Sequence, residues 1–115
     1  MRRRTAQLTP SEQEWLNAYR EALGAQYPGT VEEMLIYGSK ARGDAGPESD
    51  LDVLLIVKDR AARRKRALRR VGYGLAAATD VVPSIMAYTR SEWDERKQYG
   101  SPFRRAVERD GLRVL

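Results

Sequence analysis

Residues 38–57 read Gly38-Ser39-Lys40-Ala41-Arg42-Gly43, a polar loop from Asp44 to Ser49, then Asp50-Leu51-Asp52 running into Val53-Leu54-Leu55-Ile56-Val57. The apolar, partly β-branched run from Leu51 to Val57 predicts a central strand covered on both faces. Asp50 and Asp52 stand two apart at its mouth. Side chains at that spacing leave one face of a strand, with Cα atoms about 6.5 Å apart. Two carboxylates so placed can share divalent cations. Upstream, Gly38 lets backbone approach an anion with no Cβ in the way. Ser39 offers a hydroxyl at a helix start, where amide groups and the helix dipole favour phosphate. Ser39 as a plain helix cap uses the same geometry.

Working outward, Thr9-Pro10-Ser11-Glu12 reads as a capped helix start, with Thr9 as N-cap and Glu12 completing a capping box. Trp15, Ala18, Tyr19, Ala22 and Leu23 make one apolar stripe, so Trp15 and Tyr19 are expected in the core. The helix is expected to stop near Gly24, before the turn at Tyr27-Pro28-Gly29-Thr30. Val31 to Tyr37 predicts a first strand, and Lys40 to Gly43 a short helix or turn. Asp59 to Ala78 has a helical pattern, weakened by Gly72 and Gly74. Asp80 to Tyr88 predicts a third strand, with Pro83 arguing for an edge or a bulge. Arg90-Ser91-Glu92 opens a helix to about Gln98, and Ser101-Pro102 opens another that ends at Gly111. Leu112 to Leu115 is a last short strand or a frayed end. Helices interleaved with three or four strands make an α/β or α+β domain, a small mixed sheet flanked by helices.

A chain of 115 residues suits one core. The expected organisation is a single domain over 1–115, with residues 1–30 as a helical extension and 31–115 as the catalytic core. No apolar run reaches the ~20 residues a membrane span needs, and Met1-Arg2-Arg3-Arg4 lacks the apolar segment of a signal peptide. A cytoplasmic protein without membrane contact is therefore expected. Without Cys or His, disulfides, thiolate nucleophiles, Ser-His-Asp triads and His-ligated zinc are excluded. Carboxylates are the charged metal ligands that remain, and oxygen ligands point to Mg2+ or Mn2+. The net charge of +5 favours phosphate-bearing partners.

Carboxylates for metal beside a loop for phosphate suggest nucleotidyl transfer, in which the protein mainly binds a triphosphate, neutralises charge and aligns a hydroxyl. Two ions roughly 3.5–4 Å apart need bridging carboxylates, the role of Asp50 and Asp52, and a third acid. Asp80 is the natural candidate, since it is expected to start the next strand; it also reads as a simple strand-start acid. Arg42 reads equally as a phosphate contact or as a salt-bridge partner of a nearby acid.

Gly38-Ser39, ten intervening residues and Asp50-Leu51-Asp52 on a strand resemble the core motif of the DNA polymerase beta nucleotidyltransferase superfamily. With Arg42-Gly43, Asp80-Val81-Val82 and a closing helix from Ser101 to Gly111, the chain looks like a minimal nucleotidyltransferase of bacteria and archaea. That resemblance implies ATP and magnesium as substrate and cofactor. It places Asp50, Asp52 and Asp80 as catalytic metal ligands and Gly38 and Ser39 on the triphosphate. It also implies a helical HEPN-domain toxin as partner, with AMP attached to a partner tyrosine in an antitoxin role. Lys40 departs from the pattern, standing where many relatives carry an aromatic, which bears on nucleotide contact.

Two other functions fit the residues. One is a non-catalytic antitoxin that neutralises its partner by binding alone. The other is a nucleic-acid-binding accessory module, suggested by the basic run Arg60, Arg63, Arg64, Lys65, Arg66, Arg69 and Arg70. That run reads equally as a solvated face or as a dock for an acidic partner. Tyr37 is expected to pack near the site without a catalytic role.

Overall fold

The computed structural model describes residues 7–46 and 49–115. Helix α1 spans Pro10–Gln26, and its N-terminus is closed by the expected capping box: Thr9 and Glu12 exchange backbone-to-side-chain hydrogen bonds of 2.9 and 3.1 Å. It runs past Gly24, the expected stop. Gly24 has nothing within 4 Å of where a Cβ would lie, so the helix carries it at a propensity cost of about 1 kcal/mol. Termination comes at Tyr27, just before Pro28, which cannot continue a helix.

Strands β1 (Val31–Tyr37) and β2 (Leu51–Val57) pair antiparallel, and β3 (Pro83–Thr89) lies parallel to β2. A two-residue strand, β4 (Leu112–Arg113), closes the far edge, giving the order β3-β2-β1-β4. Expectation and structure agree on a small mixed sheet with flanking helices. Between the strands come α2 (Gly38–Arg42), α3 (Lys65–Ala76), α4 (Arg90–Gln98) and α5 (Pro102–Asp110). Among the described residues, no helix is long and apolar enough to cross a membrane.

Strand β2 divides the core by alternation. Leu51, Val53, Leu55 and Val57 join Trp15, Leu16, Tyr19, Leu23 and Leu68 in the main cluster, beneath α1 and α3. Leu54 and Ile56 face the other way, into a smaller cluster with Trp93 and Val107 of α4 and α5. Covered on both sides, β2 is nearly inaccessible from Val53 to Val57. Asp50 and Asp52 share the parity of Leu54 and Ile56, so they open at the end of the smaller cluster's face.

Two expected elements begin elsewhere. The continuous helix from Asp59 to Ala78 is instead a 3-10 segment, Asp59–Arg64, kinked at Ala61, followed by α3. The Asp59 carboxylate takes hydrogen bonds from the Ser91 amide (2.9 Å) and hydroxyl, which ties this segment to α4 and sets it off the α3 axis. The third strand starts at Pro83, not at Asp80. Thr79 Oγ1 accepts from the Val81 amide (3.0 Å) and donates to the Ala76 carbonyl (2.8 Å), turning the chain before the ladder begins. β3 is an edge strand, as Pro83 suggested. Gly72, expected to weaken α3, has a packing role: a Cβ there would lie 2.5 Å from Ile85 Cδ1 and 2.8 Å from Tyr19 Cζ. Only a glycine lets α3 sit that close to α1 and the sheet, where Trp15 Nε1 donates to the Gly72 carbonyl at 2.9 Å.

Candidate active site

The ladder between β1 and β2 sets Tyr37 opposite Asp52. The next residue, Gly38, turns the chain into α2 with φ at +76°, a conformation that costs L side chains about 1–2 kcal/mol. Sterics exclude a side chain as well, since a Cβ on Gly38 would stand 2.3 Å from Asp52 Oδ2. The Gly-Ser turn and the Asp-x-Asp strand mouth are therefore in contact. Among the described residues, no side chain caps the N-terminus of α2, and Ser39 lies in its first turn. At the other end, Gly43 adopts a left-handed conformation and its amide donates back to the Ser39 carbonyl at 2.9 Å.

Asp52 is half-buried and Asp50 exposed. Loss of water, followed by the neighbouring charge of Asp50, raises the Asp52 pKa above the ordinary carboxylate value, and Arg42 only partly offsets this. Burial and the Asp52 charge likewise push Tyr37 up to about 12, so Tyr37 stays a neutral phenol packed edge-on against Phe103 at 5.4 Å. Neither Asp50 nor Asp52 forms a salt bridge with a described residue. A divalent cation would relieve the repulsion that the pair carries, and oxygen donors of this kind suit Mg2+ or Mn2+. On that chemistry the residues present fit the metal.

Asp80 lies outside the ladder, where Ser84 stands opposite Asp52. It nevertheless lines, with Asp50, a cavity of about 470 Å3 whose other walls are Thr9, Glu12, Lys40, Ser49 and Val82. Among the described residues, no three Asp, Glu, His or Cys side chains converge on one metal-sized point. Arg42 is engaged by acids: Nε is 3.1 Å from Asp44 and Nη1 is 3.5 Å from Asp110. The salt-bridge reading of Arg42 holds in the structure, and a phosphate would have to compete with those carboxylates.

The pair Lys40–Glu12 was not legible in the sequence. Lys40 Nζ lies 3.1 Å from Glu12 Oε1, both side chains being about nine-tenths buried. Glu12 thus caps α1 and neutralises Lys40 at once, pinning α1 to the helix that follows Gly38. The capping box foretold only the first of these uses, because the second joins residues 28 apart in sequence.

The sequence profile described as "Nucleotidyltransferase domain" matches residues 16–108, most of the chain. The chain belongs to the nucleotidyltransferase domain family. Two relatives from Methanocaldococcus jannaschii are each named "Putative protein adenylyltransferase". The first is 35% identical over 46 residues, which is 40% of this chain and 46% of that relative. The second is 26% identical over 92 residues, covering 76% of this chain and 93% of the relative. The chain thus spans under half the length of one relative and nearly all of the other. A crystal structure from Sulfolobus solfataricus, titled as that of "a putative nucleotidyltransferase", has the same fold, with a TM-score of 0.56 and 20% identity. That alignment covers 87% of this chain and 76% of the other. The nucleotidyltransferase match begins inside α1.

Proposed function

We propose that this nucleotidyltransferase uses ATP and magnesium to attach AMP to a protein hydroxyl, a tyrosine of a HEPN-type toxin partner, and so acts as an antitoxin in the cytoplasm. The observation that carries the reading is the contact between Gly38 and Asp52, which joins a phosphate-type turn to a pair of unneutralised carboxylates. The names of the two archaeal relatives support the choice of a protein acceptor. In this reading Asp50 and Asp52 hold magnesium, two ions in the full site, with Asp80 the third ligand. Bound there, magnesium supplies charge neutralisation for the triphosphate and lowers the pKa of the acceptor hydroxyl.

The chain's own groups do the rest. Gly38 and Ser39 receive the triphosphate at the start of α2, where the backbone amides have no side-chain cap among the described residues. Asp52, half-buried against Gly38, sets the metal-holding carboxylate beside the turn that receives the triphosphate. The acceptor oxygen attacks that phosphorus, the α–β bridging bond breaks, and pyrophosphate leaves with the electron pair. Arg42 flanks the phosphates when released from Asp44. The partner supplies the acceptor surface, for which the chain offers little beyond the open strand mouth.

The test is direct. Wild-type chain, magnesium, α-labelled ATP and the partner should give label on a partner tyrosine, with pyrophosphate released. Label that persists undiminished in Asp52→Asn would overturn the assignment. If the Asp50→Asn, Asp52→Asn chain neutralises the toxin as well as wild type does, binding alone accounts for the antitoxin role.

A further inference from the structure

Away from the candidate active site, α3 presents Arg66, Arg69, Arg70 and Tyr73 at helical spacings of three and four, on one face. They enclose a recess of about 280 Å3. We propose that this recess binds the phosphodiester backbone of a single-stranded nucleic acid, with the Tyr73 ring as a stacking surface for a base.

Lys40, Arg42, Lys65, Arg90, Arg104, Arg109 and Arg113 each reach a carboxylate. Among the described residues, Arg66, Arg69 and Arg70 reach none, although they crowd within five residues of one helix. What sets this face apart is clustering, since Arg20, Lys58, Arg60, Arg63, Arg64, Arg96, Lys97 and Arg105 also reach no carboxylate among the described residues, but no three of them line one recess with an aromatic ring. Three adjacent cations repel one another, and an arrangement without acids around it invites an anion from outside. Arg69 Nε is buried without an acceptor among the described residues, so it is the terminal Nη groups of Arg69 that are left to meet an anion in the recess. Planar, forked guanidinium groups match phosphate oxygens in pairs, which an ammonium does not.

Tyr73 makes the recess more than a charged patch. Its hydroxyl accepts from the Ile85 amide at 2.9 Å, on the outer side of the edge strand β3. This bond ties the side chain to the sheet edge while the residue as a whole remains 43% exposed. A base stacking on it loses little ring entropy, and stacking on such a platform tolerates any base. Arginine beside a held aromatic ring is the combination that single-stranded chains use. An acidic polypeptide would satisfy the charges but would leave the ring without a counterpart. Free nucleotide and oligonucleotide share the phosphate chemistry; the strand is favoured because three guanidinium groups on one helix face suit several phosphates in a row.

The experiment is fluorescence anisotropy of a labelled twelve-nucleotide single-stranded RNA with the full chain, across a salt series. Binding should fall steeply with salt. Arg66→Glu, Arg70→Glu should weaken it by about tenfold or more, because two charge-assisted contacts are lost. Arg66→Gln, Arg70→Gln should lower the slope of log affinity on log salt by about 1.4. Both positions are exposed, and circular dichroism checks that the fold persists. Tyr73→Phe should retain binding, whereas Tyr73→Leu should weaken it at every salt concentration. The same charge change at Lys97→Glu, Arg105→Glu, on α4 and α5, should alter affinity less than twofold. The proposal is overturned if the RNA is not bound at low salt, or if both double variants with glutamate weaken it equally. It is also overturned if ATP alone or polyglutamate of matched charge displaces the RNA at equal charge concentration, the latter pointing to an acidic protein partner. ATP labelling of a partner by the wild-type chain is a separate readout, so failure here leaves the candidate active site intact.

Discussion

Glu12 and Asp50 line one cavity between α1 and the strand mouth, with Asp52 two residues beyond, and the fates of these acids differ. On one side, Glu12 is buried, paired with Lys40 and committed to the cap of α1. On the other, Asp50 and Asp52 face each other's charge without a salt bridge, and Asp52 is held above the ordinary carboxylate pKa. The first arrangement lowers the energy of the fold by satisfying its charges. The second leaves charge unbalanced, and a cation with a triphosphate would balance it. Acids around one cavity can therefore serve structure or chemistry, and what separates them is whether the protein itself supplies the counter-charge.

The contrast breaks most sharply if the two regions are exchanged in role by mutation. Asp50→Asn, Asp52→Asn should lower nucleotidyl transfer by roughly a thousandfold, several kcal/mol of transition-state stabilisation, in an α-labelled ATP assay, while the melting temperature does not fall. Lys40→Met should do the opposite. It leaves Glu12 buried without its cation, and denaturant unfolding should show a loss of about 3 kcal/mol. Adding Glu12→Leu to that variant should recover part of the loss, since a pair replaced by apolar groups is far less costly than a pair broken. A Lys40→Met chain as stable as wild type would remove the structural side of the contrast.

Gly38→Ala tests the contact between the regions. Left-handed backbone costs an alanine about 1–2 kcal/mol, and the new Cβ would displace the Asp52 carboxylate. Stability should fall by that amount and transfer by more than tenfold. An unchanged transfer rate would show that the position of Asp52 against the turn is unimportant.

The smallest effect is in the pH dependence of stability. Asp52 has its folded-state pKa raised, so its ionisation works against the folded state. That penalty is absent below the unfolded value near 3.8 and grows as pH rises through the folded value. Asp52→Asn should therefore melt above wild type at pH 7, and the gap should close as pH is lowered past 4. A gap that widens in acid would contradict the repulsion between the two aspartates.

The parts of this arrangement that were legible in the sequence rest on local signals. The capping box at Thr9 and Glu12, the two-sided burial of Leu51 to Val57, and the Gly38-Ser39 to Asp50-Leu51-Asp52 spacing are each written within a short window. The start of β3 was misjudged because the Thr79 hydroxyl turns the chain at Val81, and nothing in the local pattern distinguishes that turn from strand. The break between Asp59 and Arg64 depends on Ser91, thirty-two residues away. Gly72 reads as a flaw in a helix until Ile85 and Tyr19 are seen against it. Lys40 reads only as a departure from the family pattern that bears on nucleotide contact, and its pairing with Glu12 is seen first in the structure. In the last three cases the missing information is a long-range contact, which side-chain periodicity does not encode. The apposition of Gly38 and Asp52 is the exception. It joins residues fourteen apart in sequence but is implied by the motif, because a strand running into Gly-Ser and a strand beginning at Asp-x-Asp can pair antiparallel.

The most direct measurement is uptake of Mn2+ by the full chain in the presence of ATP, followed through the electron paramagnetic resonance signal of the free ion. Wild type should remove Mn2+ from solution at stoichiometric protein, and Asp50→Asn, Asp52→Asn should not, at equal fold content by circular dichroism. Equal uptake by both chains would contradict the assignment of Asp50 and Asp52 as the metal-holding pair.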